Sequence, residues 1–469
     1  MRRSWTWILS LSLLAACSRP SPAGDAPPAS QVKALRDRVL ATSEAYDLVR
    51  SLTDEVGPRL SGSAGDKAAV AWALGALRAA GFTRVHAEKV MVPRWERGEE
   101  SAEILVPSPQ PLSLAALGGS VGTAPEGLVA EVIEVASLEA LDALDPARVA
   151  GKIVFFHGHM ERTQDGSGYG RAVAPRSRGA VRAAKLGAAG VVIRSIGTDG
   201  LRAPHTGGMR YEDGVPKIPA AALSIPDADA LHRLLVAGKR VTMRIKLGAR
   251  TLPDAESANV MGDIEGSAAP SEIVLLGAHL DSWDLGRGAL DDGAGCAIVI
   301  EAARQIGKLP RRPRRTVRVV LFANEENGLK GAFAYAEAHA AEIPKHVLAM
   351  EADLGDGRVR EARFLGPDAA RPLFRAVASG ALPLGARLSA EPAQGGSDLI
   401  PLVRAGVPIL DLDQDATTYF DFHHTENDTL ERVHKDDLDH ATAAFAAVAY
   451  SAAEITGDFG RIPVDKRGD

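Results

Sequence analysis

The stretch Ile273–Gly295, IVLLGAHLDSWDLGRGALDDGAG, decides how this chain is read. It opens on an apolar, β-branched run, IVLL, of the length expected for a buried strand. His279 and Asp281 stand at the end of that run. Asp291 and Asp292 follow, then Gly293 and an apolar pattern with helical spacing. Open α/β sheets place their chemistry at the carboxyl ends of strands, and imidazole with carboxylate suits zinc. Singly, each of these residues reads as belonging to a solvated turn with a capping aspartate. As a set they read as a portion of a metal site.

The segments on either side of this stretch alternate. Strands are predicted at Ala258–Ile264, Ile273–Ala278, Thr316–Ala323, His346–Met350, Arg363–Leu365 and Pro408–Leu412. Helices are predicted at Gly293–Ile306, Gly328–Glu342, Ala369–Ser379 and Lys435–Ile455. Such alternation predicts a mixed, mostly parallel sheet with helices on both faces. Two of these strands run into acidic residues: Thr316–Ala323 into Asn324, Glu325 and Glu326, and His346–Met350 into Glu351 and Asp353. Farther on, YFDFHHTENDT (Tyr419–Thr429) supplies His423 and His424. An acidic pair after a strand usually faces water, and a loop histidine is usually a satisfied polar group. Together, however, these loops can converge on one sheet edge.

Nearer the N-terminus, Gln31–Leu52 has helical spacing. Asp54–Ser63, DEVGPRLSGS, is a loop ending in a possible cap. Asp66–Ala80 is helical, Gly81 ends it, and a strand resumes at Phe82–Pro93. From Pro107 to about Thr251 the pattern becomes short strands between Gly and Pro turns, with one helix at Gly179–Leu186. This reads as a β-rich module inserted into the first domain. No dense cluster of metal ligands is expected in it, since His157 and His159 follow a strand without acidic partners. The long loop Ala203–Pro219 is as consistent with reaching a substrate as with being inert.

A length of 469 residues suggests more than one domain, and 46% hydrophobic with 24% charged residues is ordinary for a globular protein. Only 5% aromatic residues and a net charge of −6 argue against a nucleic-acid partner. The basic run Arg311–Arg315 reads as a solvated loop. Two cysteines without CxxC spacing exclude a thiolate zinc site and a disulfide framework, and Cys296 reads as a small buried hydrophobe. Met1–Cys17 has a basic start at Arg2 and Arg3, an apolar stretch and small residues before Cys17, as a secretory signal does. Its ending, LAAC, resembles a bacterial lipobox, with Ser18–Ser30 as a flexible tether. The expectation is an extracytoplasmic protein, either lipid-anchored at a periplasmic or outer-membrane face or simply secreted, with no spanning segment in the mature chain.

The order HxD, DDG, EE, ExD, HT resembles the M28 family of di-zinc peptidases, and the inserted segment resembles a protease-associated (PA) domain. GVPKIP (Gly214–Pro219), HLDSWD (His279–Asp284) and YFDFHHTENDT are similar to one carboxypeptidase branch of that family. The resemblance implies an aminopeptidase-like α/β fold whose peptidase domain comes from two stretches of chain, 31–107 and 253–460, the second carrying the metal site. The insertion is 108–252, preceded by a signal at 1–17 and a tether at 18–30, and the tail is 461–469. It implies two zinc ions, one held by His279, Asp291 and Asp353, the other by Asp291, Glu326 and His424. Cobalt or manganese would fit the same donors. It makes Glu325 the general base for the attacking water. It makes Asp281 the acceptor of the second ring N–H of His279 and Asp292 a support for Asp291 across a cis peptide. Many family members carry tyrosine just before the last histidine ligand. Here His423 stands there, with an expected role toward the oxyanion or a substrate carboxylate. Gln394–Asp398 and Tyr419 are expected near the rim, Ser397 and Asp398 reading equally as a helix cap. The implied activity is hydrolysis of dipeptides or short peptides, with a homodimer as a possible assembly. The alternatives are an aminopeptidase on longer peptides, a catalytically silent binding protein, and a cyclase of N-terminal glutamine that needs one zinc.

Overall fold

A computed structural model describes residues 25–468. The signal segment and the first half of the tether lie outside the described residues. Two eight-stranded sheets organise them. The first runs in the order Thr83–Glu96, Arg250–Ile264, Arg315–Phe322, Ala269–His279, His346–Glu351, Ile409–Gln414, Val359–Leu365, Arg387–Leu388. Its four inner strands, from Arg315–Phe322 to Ile409–Gln414, are parallel, and antiparallel strands flank them. Ala269–His279 lies inside this parallel group and is buried from Ile273 onward. That explains its continuous apolar run, because a strand covered on both faces has no polar side to alternate with.

Helices cover both faces, as expected. Ala29–Thr42, Ala45–Glu55, Ala294–Gly307 and Lys435–Glu454 pack on one side, and Lys330–Ala338 and Ile400–Arg404 on the other. The single helix predicted over Gln31–Leu52 is two. The chain turns extended at Ser43, whose side chain accepts a hydrogen bond from the Ala45 N–H at 3.2 Å, a local cap that competes with helix continuation. Arg315 is also not the solvated residue expected. It is buried, donates to the carbonyls of Ala452, Ile455 and Gly457 and pairs with Glu272 at 2.6 Å, fastening a central strand to the end of the last long helix.

The second sheet runs Gln110–Leu112, Glu100–Val106, Thr242–Leu247, Leu128–Val135, Ile153–Phe156, Gly190–Arg194, Ala220–Leu223, Leu114–Ala116. The four strands from Leu128–Val135 to Ala220–Leu223 are parallel. This region is therefore less purely β than the turn-rich sequence suggested. Besides the helix Ala174–Lys185, a second twelve-residue helix, Ile225–Val236, packs on it. Its start was legible: Ser224 caps the Asp227 N–H, and Pro226 sits in the first turn. The two sheets meet at Arg97. Its buried guanidinium takes Asp284 at 2.9 and 2.6 Å, the Ala116 carbonyl at 2.6 Å and Thr206 Oγ1 at 3.2 Å. The loop that carries HLDSWD is thereby clamped to the second sheet.

Candidate metal centre

Every residue expected to hold metal arrives at the carboxyl edge of the parallel strands. His279 ends its strand, 1% exposed, and Asp291 follows in the turn before the helix Ala294–Gly307. The Asp291–Asp292 peptide is cis. Asp291 stands between two imidazoles: its Oδ1 is 3.1 Å from His279 Nε2 and its Oδ2 is 3.2 Å from His424 Nε2. Asp353 Oδ1 lies 3.5 Å from His279 Nε2, and Glu326 Oε2 lies 3.0 Å from His424 Nε2. His423 stacks on His424 with ring centres 3.5 Å apart, its Nε2 3.5 Å from Asp291 Oδ2.

The fit to divalent metal rests on what these groups lack. Asp291 Oδ2 and Glu326 Oε1 are buried without a hydrogen-bond partner, an expensive state for a carboxylate oxygen. Burial, reinforced by Asp291 and opposed by His424, pushes the Glu326 carboxyl up to about 8. Burial also pushes Glu325 up to about 7, with His279 opposing and Asp353, Asp281 and Asp291 reinforcing. A crowd of buried carboxylates with only imidazoles for company fits a dication. The backbone is strained beside it: Asn324 and His424 are both left-handed, at φ 66° and 63°, each costing about 1–3 kcal/mol.

The support differs from expectation at Asp281. The His279 Nδ1–H points to the Asp281 backbone carbonyl at 3.0 Å, while the nearer carboxylate oxygen is 3.8 Å away. The ring is still fixed with Nε2 facing the carboxylates. The Asp281 carboxylate accepts instead from the Glu325 N–H at 3.0 Å and from Ser61 Oγ at 2.8 Å. One residue therefore orients a candidate ligand through its main chain and the candidate base through its side chain. Asp292 does support the turn, accepting from the His279 N–H at 3.0 Å and the Gly295 N–H at 3.0 Å.

Sequence reading missed several supports. Asp428 accepts the N–H groups of Leu290 at 2.6 Å and Asp291 at 3.2 Å. Fully buried Arg59 donates to the carbonyls of Leu280, Arg287 and Gly288. Cys296 is buried as expected, but its thiol also donates to the His279 carbonyl at 3.0 Å. The loop Ala203–Pro219 does not line the cavity in front of the site. It braces the histidines from behind: the Thr206 N–H donates to the His424 carbonyl at 3.0 Å, and His205 Nδ1 meets the His423 carbonyl at 2.7 Å.

That cavity, about 660 Å³, is floored by Asp291, Glu325, Glu326, Asp353, His423 and His424. Tyr419 and Gln394–Ser397 form its rim, as expected, whereas Asp398 is buried and faces Glu351. The Glu351 carboxylate receives the Asp398 and Leu399 N–H groups, so it is Glu351 that caps this turn. Tyr169, Arg171 and Arg176 enter the cavity from the second sheet's side. The expectation that His157 and His159 lack acidic partners fails: Glu134 and Asp229 lie beside them, brought in by another strand and a helix.

An α/β sheet with imidazoles and carboxylates gathered at its carboxyl edge defines a metallohydrolase class of site. The chain belongs to peptidase family M28, whose model matches residues 259–449. Rat (Rattus norvegicus) carboxypeptidase Q is 42% identical over 413 residues, 88% of this chain and 86% of that protein. The crystal structure of a peptidase M28 precursor from Shewanella amazonensis superposes with a TM-score of 0.91 at 46% identity, covering 93% of this chain and 98% of that one. A zinc aminopeptidase from Bacillus subtilis shares the fold, with a TM-score of 0.62 at 21% identity over 89% and 98% of the two chains. This protein is a zinc-dependent metallo-exopeptidase acting on short peptides.

Proposed function

We propose that this enzyme is a dipeptidase of carboxypeptidase type, which holds its substrate by the free carboxyl end. The observation that carries this reading is Arg176. Of the three arginines around the cavity, Arg171 is paired with Glu161 at 3.0 Å and Arg363 with Asp413 at 2.6 Å. Among the described residues Arg176 has no carboxylate partner. Its Nε is buried without a hydrogen bond, its guanidinium lies 5.2 Å over the Tyr169 ring, and it sits against Gly207 where a Cβ would collide. Tyr169 in turn meets the His423 ring edge-on at 5.0 Å. A fork of unpaired donors close to the metal centre suits a bidentate carboxylate.

In this reading His279, Asp291 and Asp353 would hold one zinc ion, and Asp291, Glu326 and His424 would hold a second. Bound there, zinc would supply Lewis acidity and lower the pKa of a water at the site. Glu325, held by Asp281 through its backbone, takes the proton of the attacking water and returns it to the leaving amine. Burial, the neighbouring His424 and the charge of Arg176 hold His423 well below the usual imidazole range. A neutral His423 is suited to donate a hydrogen bond to the developing oxyanion. Residues 108–252 act as the PA-like insertion that brings Arg176 and Tyr169 to the site. No helix of the described residues is long and apolar enough to cross a membrane. The signal at 1–17 and the lipobox cysteine support an extracytoplasmic, lipid-anchored enzyme.

Dipeptides with free and amidated carboxyl ends test the reading. The wild type is expected to favour the free acid by about tenfold to a hundredfold, the worth of charge-assisted hydrogen bonds. Arg176→Met should raise KM for the acid with kcat less affected, and erase that preference. Equal turnover of amides, with an absolute need for a free amino end, turns the assignment to aminopeptidase.

A further inference from the structure

We infer a second metal site, outside the catalytic centre, where strand Leu128–Val135, the residues after strand Ile153–Phe156 and helix Ile225–Val236 meet: Glu134, His157 and His232 bind a divalent transition-metal ion such as zinc.

The donor atoms converge. Glu134 Oε1 lies 2.7 Å from His232 Nδ1 and 3.7 Å from His157 Nδ1. The three ligand atoms all lie within 4.8 Å of one another. Zinc bonds of about 2.0–2.1 Å in a tetrahedron place ligand atoms roughly 3.3 Å apart, so these separations bracket what is needed. His157 and His232 are stacked, ring centres 3.9 Å apart and planes 4° from parallel. A cation cannot lie in both ring planes at once, so His232 must tilt. Its side chain is 36% exposed.

A second observation points the same way. The other nitrogen of His157, Nε2, faces Asp229 Oδ1 at 3.2 Å. A carboxylate on the far side of an imidazole fixes its tautomer and leaves the opposite lone pair for a metal. Here that lone pair, on Nδ1, lies toward Glu134, whose Oε1 is 3.7 Å away. Asp229 is unsuited to be a ligand itself, because Arg194 occupies the same oxygen at 2.6 Å. Two imidazoles and a carboxylate favour zinc, nickel or copper over magnesium or calcium.

The experiment counts zinc by equilibrium dialysis on the full enzyme with its catalytic sites loaded, at micromolar free Zn2+. Wild type is expected to bind one more equivalent than His157→Ala/His232→Ala, with dipeptide turnover unchanged between the two. Asp229→Asn should weaken only this site, by about tenfold to a hundredfold. Glu134→Gln, nearly isosteric, serves should the double variant fold poorly, and should lose the same equivalent. Identical stoichiometry in wild type and Glu134→Gln overturns the inference. Substituting His424 should remove catalytic zinc but leave this equivalent, so the two metal assignments fail separately.

Discussion

At the scale of single residues, Glu325 and Glu326 are neighbours in the chain, and the two side chains have different surroundings. Glu326 pairs with His424, whereas Glu325 faces the cavity and is fixed through its own N–H to Asp281. Glu325→Gln keeps the size and the backbone contact. Its kcat is expected to fall by about 10² to 10⁴ while zinc content stays at the wild-type value. Turnover within a few-fold of wild type would assign the proton transfer elsewhere. The residues proposed for this centre could be picked out in sequence because each is a strong ligand type at a strand end or in the loop that follows one. The target of the Asp281 carboxylate was not, since Ser61 and Glu325 lie 220 and 44 positions away.

At the scale of elements, the strand His346–Glu351 begins on a buried histidine. His346 Nε2 lies 2.8 Å from the Tyr335 hydroxyl of helix Lys330–Ala338, and Nδ1 lies 3.2 Å from the Glu342 carbonyl. Burial pushes its pKa down to about 4 from 6.5. Between those values the unfolded chain binds the proton and the native one does not, so this histidine makes stability fall as pH falls from 6.5 toward 4. The full effect is about 3 kcal/mol. Thermal melts of wild type and His346→Gln at pH 7 and pH 4.5 should show the wild type losing more Tm on acidification. Equal losses would mean that the contact between strand and helix does not carry this linkage. Periodicity predicted this strand and the helix beside it. It could not predict the break at Ser43, where one hydrogen bond to Ala45 outweighs a helical pattern, nor that Arg315 in a basic run would be buried against a helix end.

At the scale of the whole molecule, the proposed metal ligands come from four separate segments of the first sheet, and the second sheet contributes braces through Arg97, His205 and Thr206. A cation that joins such distant segments binds the folded chain alone, and so stabilises it by about 2.7 kcal/mol per site when present at a hundred times its Kd. Chelation is expected to abolish activity and lower Tm by several degrees, and zinc to restore both. A Tm indifferent to chelator would mean that packing alone holds the ligands together. The amino-acid order by itself determined the strand and helix succession, the parallel sheet and the types of ligand, because these follow from hydrophobic period and from donor chemistry at strand ends. Only the tertiary structure decided which cation in the cavity stays unpaired, which oxygen orients His279, and that Glu134, Asp229 and His232 gather around His157. Those depend on contacts between segments far apart in the chain, whose directions no local pattern encodes.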